Sequence, residues 1–275
     1  MTRFAPDAKL SLAHLSELQV PPAELLRIAA RAGFASVGFR TLPASPGGIV
    51  YRLASVAEQR EIAAAVNDTG VSVLYIELVS IDAALDVRQC RAALEVGAAI
   101  GATRLAVAGD SGDIAMVADK MAALCVLAAE YGIAVDLEFM PYRPIATLAD
   151  ALAVVRRAAQ PNAHVLLDAL HFFRSGSALD DLRTATAQEI GTFQLCDAPA
   201  IAPPPDALVT EARTHRLLPG HGGLALRALI AATPPGLPLG VEIPLAAAHP
   251  DLAPAARLAM LVTGTRNFLA LETRA

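Results

Sequence analysis

Four polar residues of the sequence stand where short apolar runs end. Glu138 follows "IAVDL", Asp168 ends "HVLLD", Gln194 lies in "TFQL" and Glu242 ends "LGVE". Carboxylates and a side-chain amide are costly beside buried segments unless a partner satisfies them. Their oxygens are the ligands that Mn²⁺ and Mg²⁺ prefer in proteins, with Co²⁺ as a further candidate. The four residues therefore favour a site for a divalent cation.

The charges of these residues support the same interpretation. Three converging carboxylates would repel one another and raise one another's pKa, and no Lys or Arg lies within the four runs to neutralise them. A bound metal would neutralise the carboxylates and keep open positions for two substrate oxygens. Any one of the four alone is as well explained by a solvated or arginine-paired side chain. The prediction therefore depends on a fold that brings all four together.

The chain alternates short Val-, Ile- and Leu-rich runs with longer amphipathic stretches rich in Ala and Leu. This alternation of strands and helices predicts an α/β fold, a single (β/α)8 TIM barrel spanning residues 1–275. In such a barrel the C-terminal ends of the strands form the site. The strands are predicted at 10–14, 36–40, 72–78, 104–108, 134–139, 164–168, 192–195 and 239–243. The helices are predicted near 22–32, 56–69, 84–100, 113–131, 147–159, 179–187, 223–232 and 254–271.

Four glycines support the repeating unit. Gly33, Gly70, Gly101 and Gly132 each follow a helical run and precede a strand, at intervals of 37, 31 and 31 residues. A helix C-terminus favours a residue that can adopt positive φ at this point. A doubly wound open sheet is less well supported, because no Gly-rich loop follows the first strand and no G-x-G-x-x-G motif occurs. The longest irregular stretch, 197–223, contains "PGHGG" and is expected to be a functional loop.

Composition excludes several classes of protein. The net charge is −5, and the 22 Lys and Arg residues are scattered, which argues against nucleic-acid binding. No apolar stretch is long enough to cross a membrane, and the first residues lack the apolar core of a signal peptide. Cys90, Cys125 and Cys196 form no disulfide or zinc pattern, which favours the reducing cytoplasm. The Ala- and Leu-rich helix surfaces are compatible with a homodimer.

The segments "LEFMP", "LLDALH", "FQLCDAP", "RLLPGHGG" and "GVEIP" resemble the xylose isomerase-like barrel superfamily of sugar-phosphate isomerases and epimerases. The resemblance covers nearly the whole chain. It implies that Glu138, Asp168 and Glu242 bind a divalent metal. The family ligand on strand seven is commonly His, whereas this chain has Gln194, as 3-dehydroshikimate dehydratases do. His221 stands where the family's "PGEG" loop has Glu, so a substrate contact through that Glu is not expected.

The resemblance implies a metal-dependent isomerase or epimerase. Its substrate would be a small polyhydroxylated ketone or aldehyde, such as a polyol, a keto-sugar or a cyclic hydroxy-ketone, and the reaction would pass through a metal-stabilised enediolate. Glu138 and Glu242 are then candidates for the proton-transfer groups. The alternative is a dehydratase, a carbon–oxygen lyase of the 3-dehydroshikimate or inosose type. In that enzyme His171, three residues after Asp168, is the candidate base.

Further residues are candidates for substrate contacts. Arg216 precedes the "PGHGG" loop where related enzymes place a substrate-binding Arg, and Arg213 is an alternative. Asp197, Glu77 and His14 follow or end other strands, although His14 is equally well explained as a satisfied core histidine. Few cations lie near "PGHGG", which favours an unphosphorylated or carboxylated substrate.

Two other classes of protein fit the sequence less well. A DNA-repair endonuclease needs a His-rich metal cluster and a basic face. A non-catalytic sugar-binding barrel does not need the full set of metal ligands that this chain has.

Overall fold

The computed structural model describes residues 4–44 and 47–272. Eight parallel strands close into a barrel in the order of the sequence, and β8 pairs with β1. The TIM-barrel prediction is therefore confirmed. The strands are β1 (Leu10–Leu12), β2 (Ser36–Arg40), β3 (Ser72–Ile81), β4 (Arg104–Gly109), β5 (Ala134–Glu138), β6 (Ala163–Asp168), β7 (Ile190–Leu195) and β8 (Leu239–Val241).

Helices surround the barrel and pack their apolar faces on it. Helix α1 buries Leu25, Leu26 and Ile28, and α4 buries Met121 and Leu124, all at most 4% exposed. No described helix is long and apolar enough to cross a membrane. The helices are α1 (Pro22–Ala32), α2 (Val56–Thr69), α3 (Arg91–Ala99), α4 (Ile114–Ala129), α5 (Leu148–Ala158), α6 (Ala169–Arg174), α7 (Leu179–Thr184), α8 (Leu208–Thr214), α9 (Leu226–Ala232) and α10 (Pro254–Glu272).

Helix ends follow the local sequence signals. Gly33, Gly70, Gly101 and Gly132 all adopt positive φ, between 68° and 98°, as predicted. The left-handed conformation lets backbone N–H groups bond back to the last helical carbonyls, as Gly33 N–H does to Ala29 and Ala30. These turns return the chain to the bottom of the barrel, so that each strand runs towards the same upper rim.

The structure differs from the predicted elements near the upper rim. Strand β1 ends at Leu12 and β8 at Val241, both shorter than predicted. Helix α6 starts directly after Asp168, and α8 lies inside the stretch 197–223 that was predicted to be irregular. Both helices are six or seven residues long, and such short helices depend on tertiary contacts rather than on a sequence pattern.

Candidate metal centre and active site

The inward-facing residues of β3, β5 and β7 form two polar layers, because side chains two positions apart on a strand share a face. The lower layer is a closed network. The Tyr75 hydroxyl bonds to Asp136 and Thr192, the Thr192 hydroxyl donates to Asp136 at 2.9 Å, and Arg104 donates to both Asp136 oxygens at 2.7 and 2.8 Å. Gly191 leaves room for it, since a Cβ there would lie 2.5 Å from Arg104 Nη1.

The upper layer lies two residues further along the same strands and opens into a cavity of about 60 Å³. Glu77, Glu138 and Gln194 are its members from β3, β5 and β7. The same cavity is also lined by His171, Arg216 and Glu242. The lower layer therefore fills the barrel interior beneath the cavity, and the upper layer supplies groups that can meet a ligand.

Asp168 connects the end of β6 to α6 and fixes the position of His171. It is the N-cap of α6, and its Oδ1 accepts the backbone N–H of His171 at 3.0 Å. This turn places the His171 ring in the cavity, with Nε2 3.6 Å from Glu138 Oε1. Ligand atoms of Glu138, Asp168 and His171 lie within 4.8 Å of one another, a separation that one metal ion can span.

Arg216, predicted from the sequence as a substrate contact, pairs with two of the predicted metal ligands in the structure. Its Nη1 lies 2.6 Å from Asp168 Oδ2, and its Nη2 lies 2.8 Å from Glu242 Oε2. The expectation that no Lys or Arg neutralises the carboxylates was drawn from the strands alone. It is corrected here, because this guanidinium enters from the segment after α8. Arg216 is only 3% exposed, so it is an internal cation rather than a rim charge.

Burial and neighbouring charges shift the pKa values of the site in different directions. Burial, together with Glu242 and Asp168, raises the pKa of Glu138 well above its ordinary value. Burial also raises the pKa of Glu242 to about 7, although Arg216 opposes the rise. Burial would raise the pKa of Asp168, but Arg216 and the His171 contacts outweigh it, and the pKa is lowered. Arg216 thus favours the ionised form of Asp168. Its single positive charge does not offset the effect of burial on Glu138 and Glu242, whose pKa values stay raised.

The donor set fits a divalent cation. Gln194 Oε1 and His171 Nδ1 are buried, and neither has a hydrogen-bond partner within residues 4–44 and 47–272. A buried amide oxygen without a donor is unfavourable in a folded protein unless it meets a ligand. Burial lowers the pKa of His171 to about 4, so its imidazole is neutral at neutral pH and able to bind a metal or accept a proton.

The structure places the candidate substrate residues in different surroundings. Glu77 lines the cavity and is paired with Arg40 at 3.1 Å. His14 is fully buried outside the residues that line the cavity. Its Nδ1 accepts the Arg40 backbone N–H, and its Nε2 bonds to the Val20 carbonyl. Both ring nitrogens are thus used by the backbone, as in a satisfied core histidine.

Asp197 organises the "PGHGG" loop instead of facing the cavity. Its carboxylate accepts the backbone N–H groups of Gly220 and Gly222 at 2.9 Å each and that of Leu224 at 3.2 Å. A Cβ on Gly222 would lie 2.2 Å from the Ala198 carbonyl oxygen, so this close approach requires glycine. These three backbone N–H groups are therefore bonded within the loop and are not free to bind a ligand.

Sequence reasoning missed three polar residues that line the cavity, Arg40, Tyr142 and Arg143. Arg40 ends β2 and could have been found by the strand-end rule that found Glu138. Tyr142 and Arg143 follow β5 in "FMPYR", and the Tyr142 ring meets the His171 ring edge-on with 5.6 Å between centroids. No motif marks this loop, because its conformation comes from contacts such as the Arg143–Asp110 ion pair.

Comparisons with known proteins agree with this architecture. The chain is 29% identical over 172 residues to a 3-dehydroshikimate dehydratase of Pseudomonas aeruginosa, covering 61% of this chain and 26% of that protein. It is 28% identical over 116 residues to an inosose isomerase of Bacillus subtilis, covering 42% and 40% of the two chains. The matches thus span less than half the length of these curated relatives.

The fold is shared with solved structures. The structure of an IolI protein with a bound zinc atom superposes with a TM-score of 0.80 at 17% identity, covering 96% of this chain and 98% of the other. A family model described as xylose isomerase-like TIM barrel matches residues 26–261. The closed eight-stranded barrel, the polar upper layer and this match lead to one conclusion. The chain belongs to the xylose isomerase-like TIM barrel family.

Proposed function

We propose that this protein is a divalent-metal-dependent isomerase or epimerase. Its substrate would be a small polyhydroxylated ketone or aldehyde, and the reaction would pass through an enediolate. The observation that carries the proposal is the placement of two buried glutamates around one cavity, Glu138 at the end of β5 and Glu242 directly after β8. Isomerisation and epimerisation each need one group to remove a proton from carbon and a group to return it.

Glu138, Asp168, Gln194 and Glu242 would hold the metal through oxygen, which favours Mn²⁺ or Mg²⁺, with Co²⁺ as a further candidate. His171 is a fifth potential ligand because of its distance to Glu138. A zinc atom in the IolI protein, which shares the fold, supports a divalent metal here. Such an ion would act as a Lewis acid on the substrate oxygens and acidify the adjacent C–H bond.

The residues of the chain would bind the substrate and move its proton. Glu242 lines the cavity beside the proposed metal position, so its carboxylate could remove a proton from the substrate and return it. Glu138 lies at the end of β5 and would face the substrate from another side. The Arg40–Glu77 pair and the exposed Arg213 line the cavity and are available for contacts to substrate hydroxyl or carboxylate groups.

A dehydratase is the second candidate function, and two observations favour it. The match to the Pseudomonas dehydratase covers 61% of this chain and 26% of that protein. Gln194 lies on β7, where the family resemblance implies Gln in 3-dehydroshikimate dehydratases. In this mechanism His171, whose ring lies in the cavity, would remove the proton, and the β-hydroxyl would take up a proton and leave as water. Both candidate reactions use the metal and an enolised substrate. They differ in the next step: the isomerase or epimerase returns a proton to carbon, whereas the dehydratase loses a hydroxyl group.

The test is proton exchange in D₂O. Protein loaded with Mn²⁺ is incubated with ketoses, their phosphates, inososes and 3-dehydroshikimate, and NMR reports deuterium at the carbon beside the carbonyl. Deuterium in an isomerised or epimerised product supports the first candidate, and a conjugated product absorbing in the ultraviolet supports the second. We expect Glu138→Gln and Glu242→Gln to lose the metal-dependent reaction.

The matched control is Glu77→Gln, which removes a carboxylate from the same cavity but outside the proposed ligand set. This variant should retain Mn²⁺ binding. Full activity of metal-replete Glu138→Gln and Glu242→Gln would overturn the assignment of these two residues. Absence of Mn²⁺ binding by the unmodified protein would overturn the metal site itself.

A further inference from the structure

The guanidinium of Arg216 lies between two of the proposed metal ligands, Asp168 and Glu242. We infer that Arg216 is a resident counter-cation of the metal centre: it holds these two carboxylates when the metal is absent and competes with the metal for their oxygens. The inference rests on the metal site of the proposed function. It assigns to Arg216 a positioning role towards the ligands, distinct from the substrate contact that the family resemblance implies.

The contacts of Arg216 show that it is built into this place. Its Nε donates to the Ala212 carbonyl at 2.8 Å, and Nη1 also contacts Cys196 Sγ at 3.3 Å. Its side chain is only 1% exposed, and its two carboxylate partners are 0% and 8% exposed. A guanidinium held at three points, with carboxylates on two of its nitrogens, is an ordered structural cation and not a surface charge.

Arg216 contacts one carboxylate oxygen of each of two proposed metal ligands. Asp168 uses Oδ1 for the His171 backbone N–H and Oδ2 for Arg216, so each of its oxygens already has a donor. Glu242 gives Oε2 to the same guanidinium. Glu138 has no such partner: within the described residues its contact is to neutral His171, at 3.6 Å. A metal would therefore meet one uncommitted carboxylate and two that are shared.

Electrostatics gives the sign of the effect. A divalent cation that binds Asp168 and Glu242 adds positive charge within a few ångströms of a buried guanidinium, and repulsion is strong where water is excluded. Metal binding must therefore weaken the Arg216 contacts, and this requirement lowers the affinity of the protein for the metal. Removing the guanidinium takes away a cation that contacts these carboxylate oxygens and should tighten metal binding, although the metal-free protein then holds two unpaired buried carboxylates and loses stability.

The experiment is a titration with Mn²⁺ followed by electron paramagnetic resonance, which detects the free ion and needs no substrate. It compares the unmodified protein with Arg216→Gln, Arg216→Lys and the matched control Arg213→Gln. Arg213 lines the same cavity and is exposed, so its replacement removes the same charge without touching Asp168 or Glu242. We expect Arg216→Gln to bind Mn²⁺ about tenfold more tightly or better, and Arg213→Gln to change affinity by about twofold at most.

Arg216→Lys keeps a charge but cannot bridge two carboxylates, so its affinity should lie between those of the unmodified protein and Arg216→Gln. Unchanged or weaker Mn²⁺ binding by Arg216→Gln would overturn the competition, while leaving the metal site in place. Equal tightening by Arg213→Gln would also overturn it, because the effect would then be one of net charge alone. If no protein in the series binds Mn²⁺, the proposed metal site fails as well.

A measurement on the unmodified protein covers the case in which Arg216→Gln does not fold. Nitrogen-15 NMR of the arginine side chains should show a protected Arg216 Nε–H signal, because this group donates to Ala212 in a buried place. Saturation with diamagnetic Mg²⁺ should shift the signal and speed its hydrogen exchange. The competition between Arg216 and the metal would be contradicted if Mg²⁺ binding moved the Glu138 or Gln194 resonances but left the Arg216 signal unchanged.

Discussion

Arg174 and Glu211 join the two short helices that position the site. Arg174 Nε and Nη2 each lie 2.7 Å from a Glu211 carboxylate oxygen, and the side chains are only 3% and 7% exposed. Arg174 ends α6, which carries His171, and Glu211 lies on α8, just before Arg216. This bidentate pair therefore connects the helix that carries His171 to the helix that precedes Arg216.

Removing one partner of this pair should destabilise the protein strongly. Arg174→Met leaves a buried carboxylate without its cation, and Glu211→Gln leaves a buried guanidinium without its anion. Each substitution should lower the free energy of unfolding by about 3–5 kcal/mol. The measurement is urea unfolding of both variants and of the double variant Arg174→Met/Glu211→Gln. The double variant should be more stable than the sum of the two losses predicts. Losses that simply add would show that the two residues act independently.

Gln194 should contribute to metal affinity through its side-chain oxygen, which is buried without a donor. We expect Gln194→Ala to weaken Mn²⁺ binding about tenfold or more, because one ligand is lost. Gln194→Glu keeps an oxygen in the same place and should bind at least as tightly as the unmodified protein. Titration by electron paramagnetic resonance measures both variants. Normal affinity of Gln194→Ala would remove this residue from the ligand set.

His171 should separate the two candidate reactions. Its neutral imidazole lies 3.6 Å from Glu138, within reach of a shared substrate. We expect His171→Asn to reduce any dehydration of 3-dehydroshikimate by about 100-fold, within the range typical of a lost general base, and to reduce α-proton exchange in ketoses much less. Parallel rate measurements on Mn²⁺-loaded protein give the ratio. Equal losses in both assays would show that His171 acts on the metal site and not on one reaction.

His14 should make stability depend on pH. Burial lowers its pKa to about 4, from an ordinary value of 6.5, so the folded protein keeps it neutral. The unfolded chain binds this proton first on acidification. The stabilisation is therefore complete above pH 6.5 and is lost as the pH falls towards 4, with a total of about 3 kcal/mol.

The variant His14→Gln isolates this contribution. His171 has a similarly lowered pKa and is present in both proteins, so its effect cancels in the comparison. Urea unfolding at pH 7 and pH 4 should show a smaller acid loss in the variant than in the unmodified protein. The same pH dependence in both proteins would mean that His14 is not neutral and buried in solution.

The barrel and the convergence of the strand-end residues could be predicted because they follow from periodic local signals. Gly33 and the three equivalent glycines precede four of the eight strands, and the alternation of inward and outward residues puts Glu138 and Gln194 on the same side. The Arg216 contacts could not be predicted in this way. They depend on how α8 folds back over the barrel, a tertiary arrangement without a sequence pattern.

The same limit applies to His14 and Asp197. Both are polar residues near strand ends, but backbone groups that are distant in sequence use their side chains, Arg40 in one case and Gly220 in the other. Strand position alone does not distinguish these residues from ligands. The homodimer and the cytoplasmic location rest on composition, and both stay predictions.

The division of the barrel interior into two layers has a consequence for how such a protein can be altered. Tyr75, Asp136 and Thr192 satisfy one another's hydrogen bonds beneath the cavity, so they maintain the interior without the residues above them. A mutant library confined to Gln194 in the upper layer, whose side-chain oxygen has no hydrogen-bond partner among the described residues, can therefore explore new chemistry at little risk to folding. Evolution has the same freedom, since a new reaction requires new residues in one layer and not a new barrel.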